Sequence, residues 1–497
     1  MVGWLYPTSV GRHGDPPADP WPLEMPLLPL SAFDMFRLKH AYEAIAIFGE
    51  IGAAKSTGSL ALFLMCYLLI GMGGLIGCVK PGDREFIEQF ARLTGREKSL
   101  VIVSPANGWR CNLMHYALHK PGALGSRVEA IVSLLMTIVE AAERGSRNNM
   151  AEQKFFDSAL RQLLRNGTEV CIAARGEVTM PLLHEVLTSA PRNASEVHSR
   201  SWQESSRCYQ VIEEGERRPK TPSAQRDFEL AARYLLRELP DMPSDTRGSV
   251  MATYGVMADV LLRGHMADLF NGETNFIPEI TFDGAILVFD LATKVYGQAG
   301  IYVQTAFTYL WQLAVEQRNL KQHPRPVFWL VDEAHELVND YTPRFLATAR
   351  SARAASILCT QNKPNYLAAM GGEAGRHRVD AFLANMGTKI FHANGDPETN
   401  RWASEILSDE VQTRLNFHAG REESGRGGGG ESVGRKVLPS AFTTLKKGGE
   451  ANGFLTEAIV FQTGASFQAN NGEPWLRTTF RQQIPGVTIK PRPKTQP

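Results

Sequence analysis

The sequence predicts an α/β fold in which a central, mainly parallel sheet is interrupted by an inserted all-α domain. Three observations predict it. Short apolar runs alternate with helical patterns from about residue 36 to 125, as in strands joined by crossover helices. From about 126 to 265 the apolar residues recur at helical spacing instead. Strand-like runs then resume and continue to about residue 482.

Residues 1–35 form a Pro-rich arm (Pro7, Pro16, Pro17, Pro20, Pro22, Pro26 and Pro29), expected to be extended and to pack on its own body or on a neighbour. Residues 1–30 are Pro-rich rather than basic and then apolar, so they do not read as a signal peptide. Residues 36–125 form the first part of the α/β domain. Ala44–Phe48 is an apolar run fit for a buried strand, and Gly49-Glu50-Ile51-Gly52-Ala53-Ala54-Lys55-Ser56-Thr57 follows it. This is a phosphate-binding loop of the G-x-x-x-x-G-K-[ST] type with Ala54 in place of the last glycine. Such a loop wraps phosphates with backbone N–H groups, reaches the outer phosphates with its lysine and holds Mg²⁺ with its hydroxyl. Gly49 to Thr57 are therefore the nucleotide-binding candidates, with Lys55 on phosphate and Ser56 on the metal. A Cβ at Ala54 is expected to cost about 1–2 kcal/mol if the backbone there needs φ > 0.

The uncharged run Leu60–Val79 has the length of a membrane span. It starts directly after the loop, and Gly71-Met72-Gly73-Gly74 interrupts it. It reads as a buried helix, Ser59–Ile70, then a core strand, Leu75–Val79. Ser99–Val103 is a further strand.

Within the helical insert, Glu129–Ala142 is apolar on most sides. Phe156, Ala159, Leu160, Leu163 and Leu164 mark a helix expected to stop at Asn166-Gly167. Thr221-Pro222 starts another, because proline lacks the N–H that a first helical residue would leave unsatisfied. The second part of the α/β domain, 266–482, offers strands at Ala285–Phe289, Val327–Val331, Ile357–Thr360, Lys389–His392, Ala458–Gln462 and Arg477–Arg481, with a glycine-rich loop at Arg426–Gly434. Residues 483–497 are a basic, Pro-rich tail of disordered composition.

Two strand ends carry chemistry. Val327–Val331 runs into Asp332-Glu333, where Asp332 would hold the Mg²⁺ shell and Glu333 would polarise the attacking water. Ser356–Thr360 runs into Gln361, a candidate to sense the terminal phosphate or to position the water. Arg344, Arg350 and Arg353 lie upstream, and an arginine there can act in trans as a charge-stabilising finger. Two other patterns carry less. Asp332-Glu333-Ala334-His335 spells a helicase box without that family's partner motifs. Cys111, His115 and His119 recur every four residues but lack an acidic partner, and read as an ordinary packed helix.

Composition narrows the classes. The chain has 497 residues, 43% hydrophobic and 21% charged, enough for two or three domains with a real core. A net charge of +1 leaves no global field for nucleic acid, so any such contact must use local basic patches. Six scattered cysteines fit reduced thiols rather than a disulfide framework.

Together the strings GEIGAAKST (49–57), CVKPGD (78–83), SPANGWRCNLMHY (104–116), GAILVFDLATKVYG (284–297), WLVDEAHEL (329–337), RSARAASILCTQNKPNYL (350–367) and MGTKIFHANGDPETNRWASEIL (386–407) resemble the HerA/FtsK superfamily of DNA-pumping ATPases. Within it the chain is most similar to the TraD/TraG-like coupling proteins of conjugative type IV secretion, over about residues 36–480. The resemblance implies a RecA-like P-loop NTPase core, a ring-shaped homo-hexamer, and ATP hydrolysis with Mg²⁺ coupled to moving DNA, expected to be single-stranded. It implies a relaxase and its relaxosome, with the secretion channel, as partners. By position it makes Lys55, Asp332, Glu333, Gln361 and Arg350 the catalytic set, Arg353 standing behind Arg350, and Ser56 and Asp332 the metal contacts. Family members carry N-terminal membrane helices where this chain has its Pro-rich arm. The expected place is therefore cytoplasmic, peripheral to the inner membrane, with membrane contact only through partners. Two other readings stay open: a soluble motor of the same superfamily in end processing or defence, and an adaptor that binds nucleotide weakly because of Ala54.

Overall fold

In a computed structural model, residues 19–120, 127–143, 150–371, 375–416 and 428–483 are described. The strands, in chain order, are β1 (Pro26–Pro29), β2 (Met35–Arg37), β3 (Ile45–Phe48), β4 (Gly73–Gly77), β5 (Leu100–Val103), β6 (Ile286–Phe289), β7 (Val327–Asp332), β8 (Ala354–Thr360), β9 (Thr388–Phe391), β10 (Asp409–Asn416), β11 (Gly428–Arg435), β12 (Leu455–Gln462) and β13 (Trp475–Arg481). One nine-stranded sheet has the order β13-β12-β9-β3-β8-β7-β4-β6-β5. From β9 to β5 neighbours run parallel, and β12 and β13 join antiparallel at the β9 side.

Both faces of this sheet are buried, as parallel sheets require, since crossover helices cover each side. Along β3, Ile45 and Ile47 enter one core while Ala46 and Phe48 enter the other. The first core also takes in the helix Ala61–Leu69, the helix Asp83–Leu93 and the β1–β2 hairpin; the second takes in the long helix Thr293–Gln317 and the helical insert.

The uncharged run splits much as its glycines predict. A helix covers Ala61–Leu69, Gly71 turns the chain at φ 81°, and β4 is fully buried between β6 and β7. The strand begins two residues earlier than the sequence suggests, because Gly73 and Gly74 are inside it. A side chain at Gly74 would meet the Phe328 ring at 2.5 Å, so glycine here serves close packing and not only a turn. No helix of the described residues is long and apolar enough to cross a membrane.

Between β5 and β6 the described residues form helices with no strand among them. The helix Met150–Arg175 runs straight through Asn166-Gly167, contrary to the expected stop. A Cβ at Gly167 would stand 2.7 Å from Leu187 and 2.9 Å from Leu183, so this glycine lets the helix Met180–Thr188 approach. Thr221 caps the helix Pro222–Arg233 as expected, its side chain accepting from the Ala224 N–H at 3.3 Å.

The described end of the N-terminal arm packs on its own body, one of the two placements expected of it, and does so as a hairpin. β1 and β2 pair antiparallel, Leu28 and Leu30 are buried, and Trp21 Nε1 donates to the Ile70 carbonyl at 2.8 Å. The glycine-rich stretch, expected as a loop, is largely strand: β11 pairs in full register with β10, because a ladder needs only backbone groups, which glycine supplies. Residues 1–18 and the tail 484–497 lie outside the described residues.

Candidate nucleotide site

The phosphate-binding loop leaves the carboxyl end of β3, at the sheet edge where the acids after β7 and the amide after β8 also gather. β3 lies between β8 and β9, and β7 lies beside β8. Loop, acid pair and Gln361 are thus the carboxyl ends of adjacent strands, the usual ligand side of an open α/β sheet.

Inside the loop, Gly52 has φ 81° and Ala54 φ 62°. The backbone at Ala54 is therefore left-handed, and its Cβ carries the cost of about 1–2 kcal/mol foreseen for that case. Its methyl group faces Gly448, where an added Cβ would come within 3.2 Å of it. A residue with no side chain at 448 makes room for the one at 54. After Lys55 the chain opens into a wide first turn, Ser56–Leu60, with the Leu60 N–H donating to the Lys55 carbonyl at 3.1 Å. Among the described residues, the N–H groups of Gly52, Ala54 and Lys55 meet no protein acceptor, and Lys55 is buried. Open donors beside a buried cation fit a phosphate chain.

The loop is clamped from behind. The Gly49 N–H donates to the Gln361 carbonyl at 3.2 Å and the Glu50 N–H to the Ala393 carbonyl at 2.9 Å. Thr456 Oγ1 donates to the Ala53 carbonyl at 2.9 Å, and Gln482 Nε2 to Thr57 Oγ1 at 2.7 Å. Glu50 accepts from the Gly395 N–H at 3.1 Å and pairs with Lys447. Ile51 stands exposed at the tip. His392 is fully buried beneath the first turn. Its Nδ1–H donates to the Glu457 carbonyl at 3.1 Å, and Nε2 accepts from Ser59 Oγ at 2.8 Å, the tautomer that a neutral ring allows.

Burial pushes the His392 imidazole down from 6.5 to about 3. The sign follows: between these values the unfolded chain binds the proton and the folded chain does not. Stability from this group is full above pH 6.5 and falls as pH drops toward 3. His40, lowered by burial to about 4, acts with the same sign. Denaturant unfolding between pH 6.5 and 5 should show a falling stability whose slope shrinks in His392→Asn. An unchanged slope would remove His392 from this account.

At the end of β7, Asp332 Oδ2 accepts from Ser56 Oγ at 2.6 Å. Glu333 sits at φ 71°, ψ 54°, a left-handed conformation that side chains rarely take and that functional sites often store. Gln361 Nε2 donates to Glu333 Oε1 at 3.3 Å. Glu333 Oε2 is buried without a hydrogen bond, with His335 Nδ1 3.8 Å away. Lys80, which the sequence reading left unassigned, contacts both acids, at 3.2 Å from Asp332 Oδ2 and 2.5 Å from Glu333 Oε1. Its signal was present in the Cys78-Val79-Lys80-Pro81-Gly82-Asp83 turn after an apolar strand. A hydroxyl, two carboxylates and an unsatisfied buried carboxylate oxygen fit a hydrated Mg²⁺ bound with nucleotide.

Lys55, Ser56, Asp332, Glu333 and Gln361 thus come together, and Arg350 does not. Arg350 precedes β8 and pairs with Glu43, which precedes β3, at 3.2 Å. It lies at the opposite end of strands about 13 Å long from the loop. Arg353 is engaged by Asp19 and the Pro324 carbonyl. Cys111 is buried in the core ahead of the helix Leu113–His119, and among the described residues no three His, Cys, Asp or Glu side chains cluster as a metal site of their own.

Residues 326–441, which hold β7, β8 and the acid pair, match the family model described as the TraM recognition site of TraD and TraG. No curated protein sequence matches the chain. Among solved structures, the unbound monoclinic form of the bacterial conjugative coupling protein TrwBdeltaN70 is similar at TM-score 0.58 and 14% identity, over 93% of this chain and 89% of that one. Plasmid coupling protein TrwB in complex with the non-hydrolysable GTP analogue GDPNP gives TM-score 0.58 and 15% identity over the same shares, 93% and 89%. TrwB in complex with ADP and Mg²⁺ gives 0.54 and 14%, over 90% and 87%. The chain thus has the fold of the conjugative coupling protein TrwB, and its segment 326–441 is similar to the TraM recognition site of TraD and TraG.

Proposed function

We propose that this chain is an ATP-driven DNA translocase that serves as a coupling protein, delivering DNA with its relaxase to a type IV secretion channel. The observation that carries the reading is the junction of phosphate loop and acid pair, Ser56 Oγ on Asp332 Oδ2, with Asp332 inside the segment similar to TraD and TraG. Gly49 to Thr57 hold the phosphates through backbone donors, with Lys55 as their cation. Ser56 and Asp332 hold Mg²⁺, which when bound neutralises charge on the transferring phosphate. Glu333 takes the proton of the attacking water, and Gln361 orients that carboxylate. Arg350, 62% exposed and remote from its own loop, is available to the site of a neighbouring copy in a hexameric ring. The exposed part of segment 326–441, outside the buried strands β7 and β8, is the surface for a relaxosome component.

ATP turnover of the wild type with and without single-stranded DNA tests this, with Lys55→Ala as the control. Stimulation by DNA that vanishes in the variant is the expected result. Turnover indifferent to DNA would remove the translocase. Ala54→Gly relieves an alanine that is left-handed before any nucleotide binds, so its expected gain is in folding stability, up to about 1–2 kcal/mol, read from the denaturant midpoint. If binding is absent in the wild type and restored by Ala54→Gly, the weakly binding adaptor is the better description.

A further inference from the structure

Lys80 has no part in the scheme above, yet its ammonium bridges the two acids on which that scheme depends. The side chains of Asp332 and Glu333 are 5% and 7% exposed, and that of Lys80 is 28% exposed. Two neighbouring carboxylates with so little access to water repel each other, and an opposite charge between them offsets that repulsion. The lysine is built into place. Asp83 Oδ2 accepts from the N–H groups of Val79 at 3.1 Å and Lys80 at 2.9 Å. Gly82 turns the chain at φ 87°, and Thr293 Oγ1 donates to the Val79 carbonyl at 2.8 Å. β4 and β7 are adjacent, with Gly77 opposite Val331, so the turn after one strand overhangs the acids ending the other. Asp332 Oδ2 is shared by the Ser56 hydroxyl and the Lys80 ammonium.

We infer that Lys80 is a positioning residue, a tethered cation that holds Asp332 and Glu333 in their bent geometry without bound metal and that Mg²⁺–nucleotide must displace. The inference rests on the nucleotide reading of the site. A carboxylate pair already neutralised by an ammonium attracts a divalent ion less strongly, so Lys80 raises the Mg²⁺ concentration that nucleotide binding needs. Release of the lysine then accompanies loading of the site.

The test is binding of a fluorescent non-hydrolysable ATP analogue to the full chain, titrated with MgCl₂. Lys80→Met should reach half-saturation at about tenfold less Mg²⁺ than the wild type. Lys80→Arg, which keeps the charge, should stay close to the wild type. Lys80→Met needing as much Mg²⁺ as the wild type, or more, would overturn the inference and leave the nucleotide reading standing. A wild type that binds no analogue at any Mg²⁺ concentration overturns the nucleotide reading itself, and this inference with it. Should Lys80→Met lack a cooperative melt, Lys80→Gln, which keeps the stem and its polarity, carries the same outcomes.

Discussion

Lys55→Ala is expected to lower nucleotide affinity by roughly a hundredfold or more and to leave no measurable ATP turnover. Lys55 is buried, and its charge is felt by His392 and Cys359 on the flanking strands, so it acts at short range in a site with little water. Alanine removes that cation while the loop keeps its other restraints: the Gly49, Glu50 and Ala53 backbone bonds do not involve the lysine side chain. The variant should therefore melt close to the wild type. Glu333→Gln makes the complementary change. It keeps the shape of the side chain beside Gln361 but removes the proton acceptor, so binding should survive and turnover should fall by about 10²–10⁴-fold. Equilibrium binding and single-turnover hydrolysis on the same preparations separate the two. Full turnover in Lys55→Ala would exclude this site as the seat of hydrolysis.

The sequence made these residues legible because each ends a strand. Apolar runs stop where the chain emerges from the sheet, and polar residues at those points collect along one edge. Strand order does the rest, since β3, β8 and β7 are neighbours although Lys55 and Asp332 are far apart in the chain. Lys80 escaped the same logic. A lysine in a Pro-Gly turn is normally solvated, and only the pairing of β4 with β7 carries it to the acids. The clamp of His392, Thr456 and Gln482 was equally hidden, because it depends on β12 and β13 folding back antiparallel beside β9. Arg350 came from its position in the resemblance, as a finger acting in trans, and position along the chain does not tell the entry end of a strand from its exit end. Its salt bridge with Glu43 shows which end it occupies. Glycines misled for a different reason. Gly167 resembled a helix stop, yet Leu183 and Leu187 occupy the place of its side chain, a contact absent from any local pattern.

The same kind of contact makes Gly73→Ala the substitution expected to damage the fold most. A Cβ on Gly73 would stand 1.8 Å from the Thr281 carbonyl oxygen, 2.8 Å from its carbon and 3.0 Å from the Ala285 carbonyl oxygen. All three are backbone atoms, so no rotamer change relieves the overlap. Thr281 is itself fixed, its hydroxyl donating to the Pro278 carbonyl at 2.8 Å and accepting from the buried Trp311 Nε1 at 3.1 Å. Moving that turn aside breaks the Trp311 bond and shifts β4, the strand that carries Lys80 toward the acid pair. Overpacking against an immobile backbone should cost about 3 kcal/mol or more. Gly255→Ala is the matched control. It lies in the helix Ser244–Leu262 with nothing within 4 Å of its added Cβ, and there alanine should stabilise by up to about 1 kcal/mol. Denaturant midpoints of the two variants should move in opposite directions. A Gly73→Ala protein within 1 kcal/mol of the wild type would mean that the turn at Thr281 yields, and that β4 is not pinned between β6 and β7 as tightly as these contacts require.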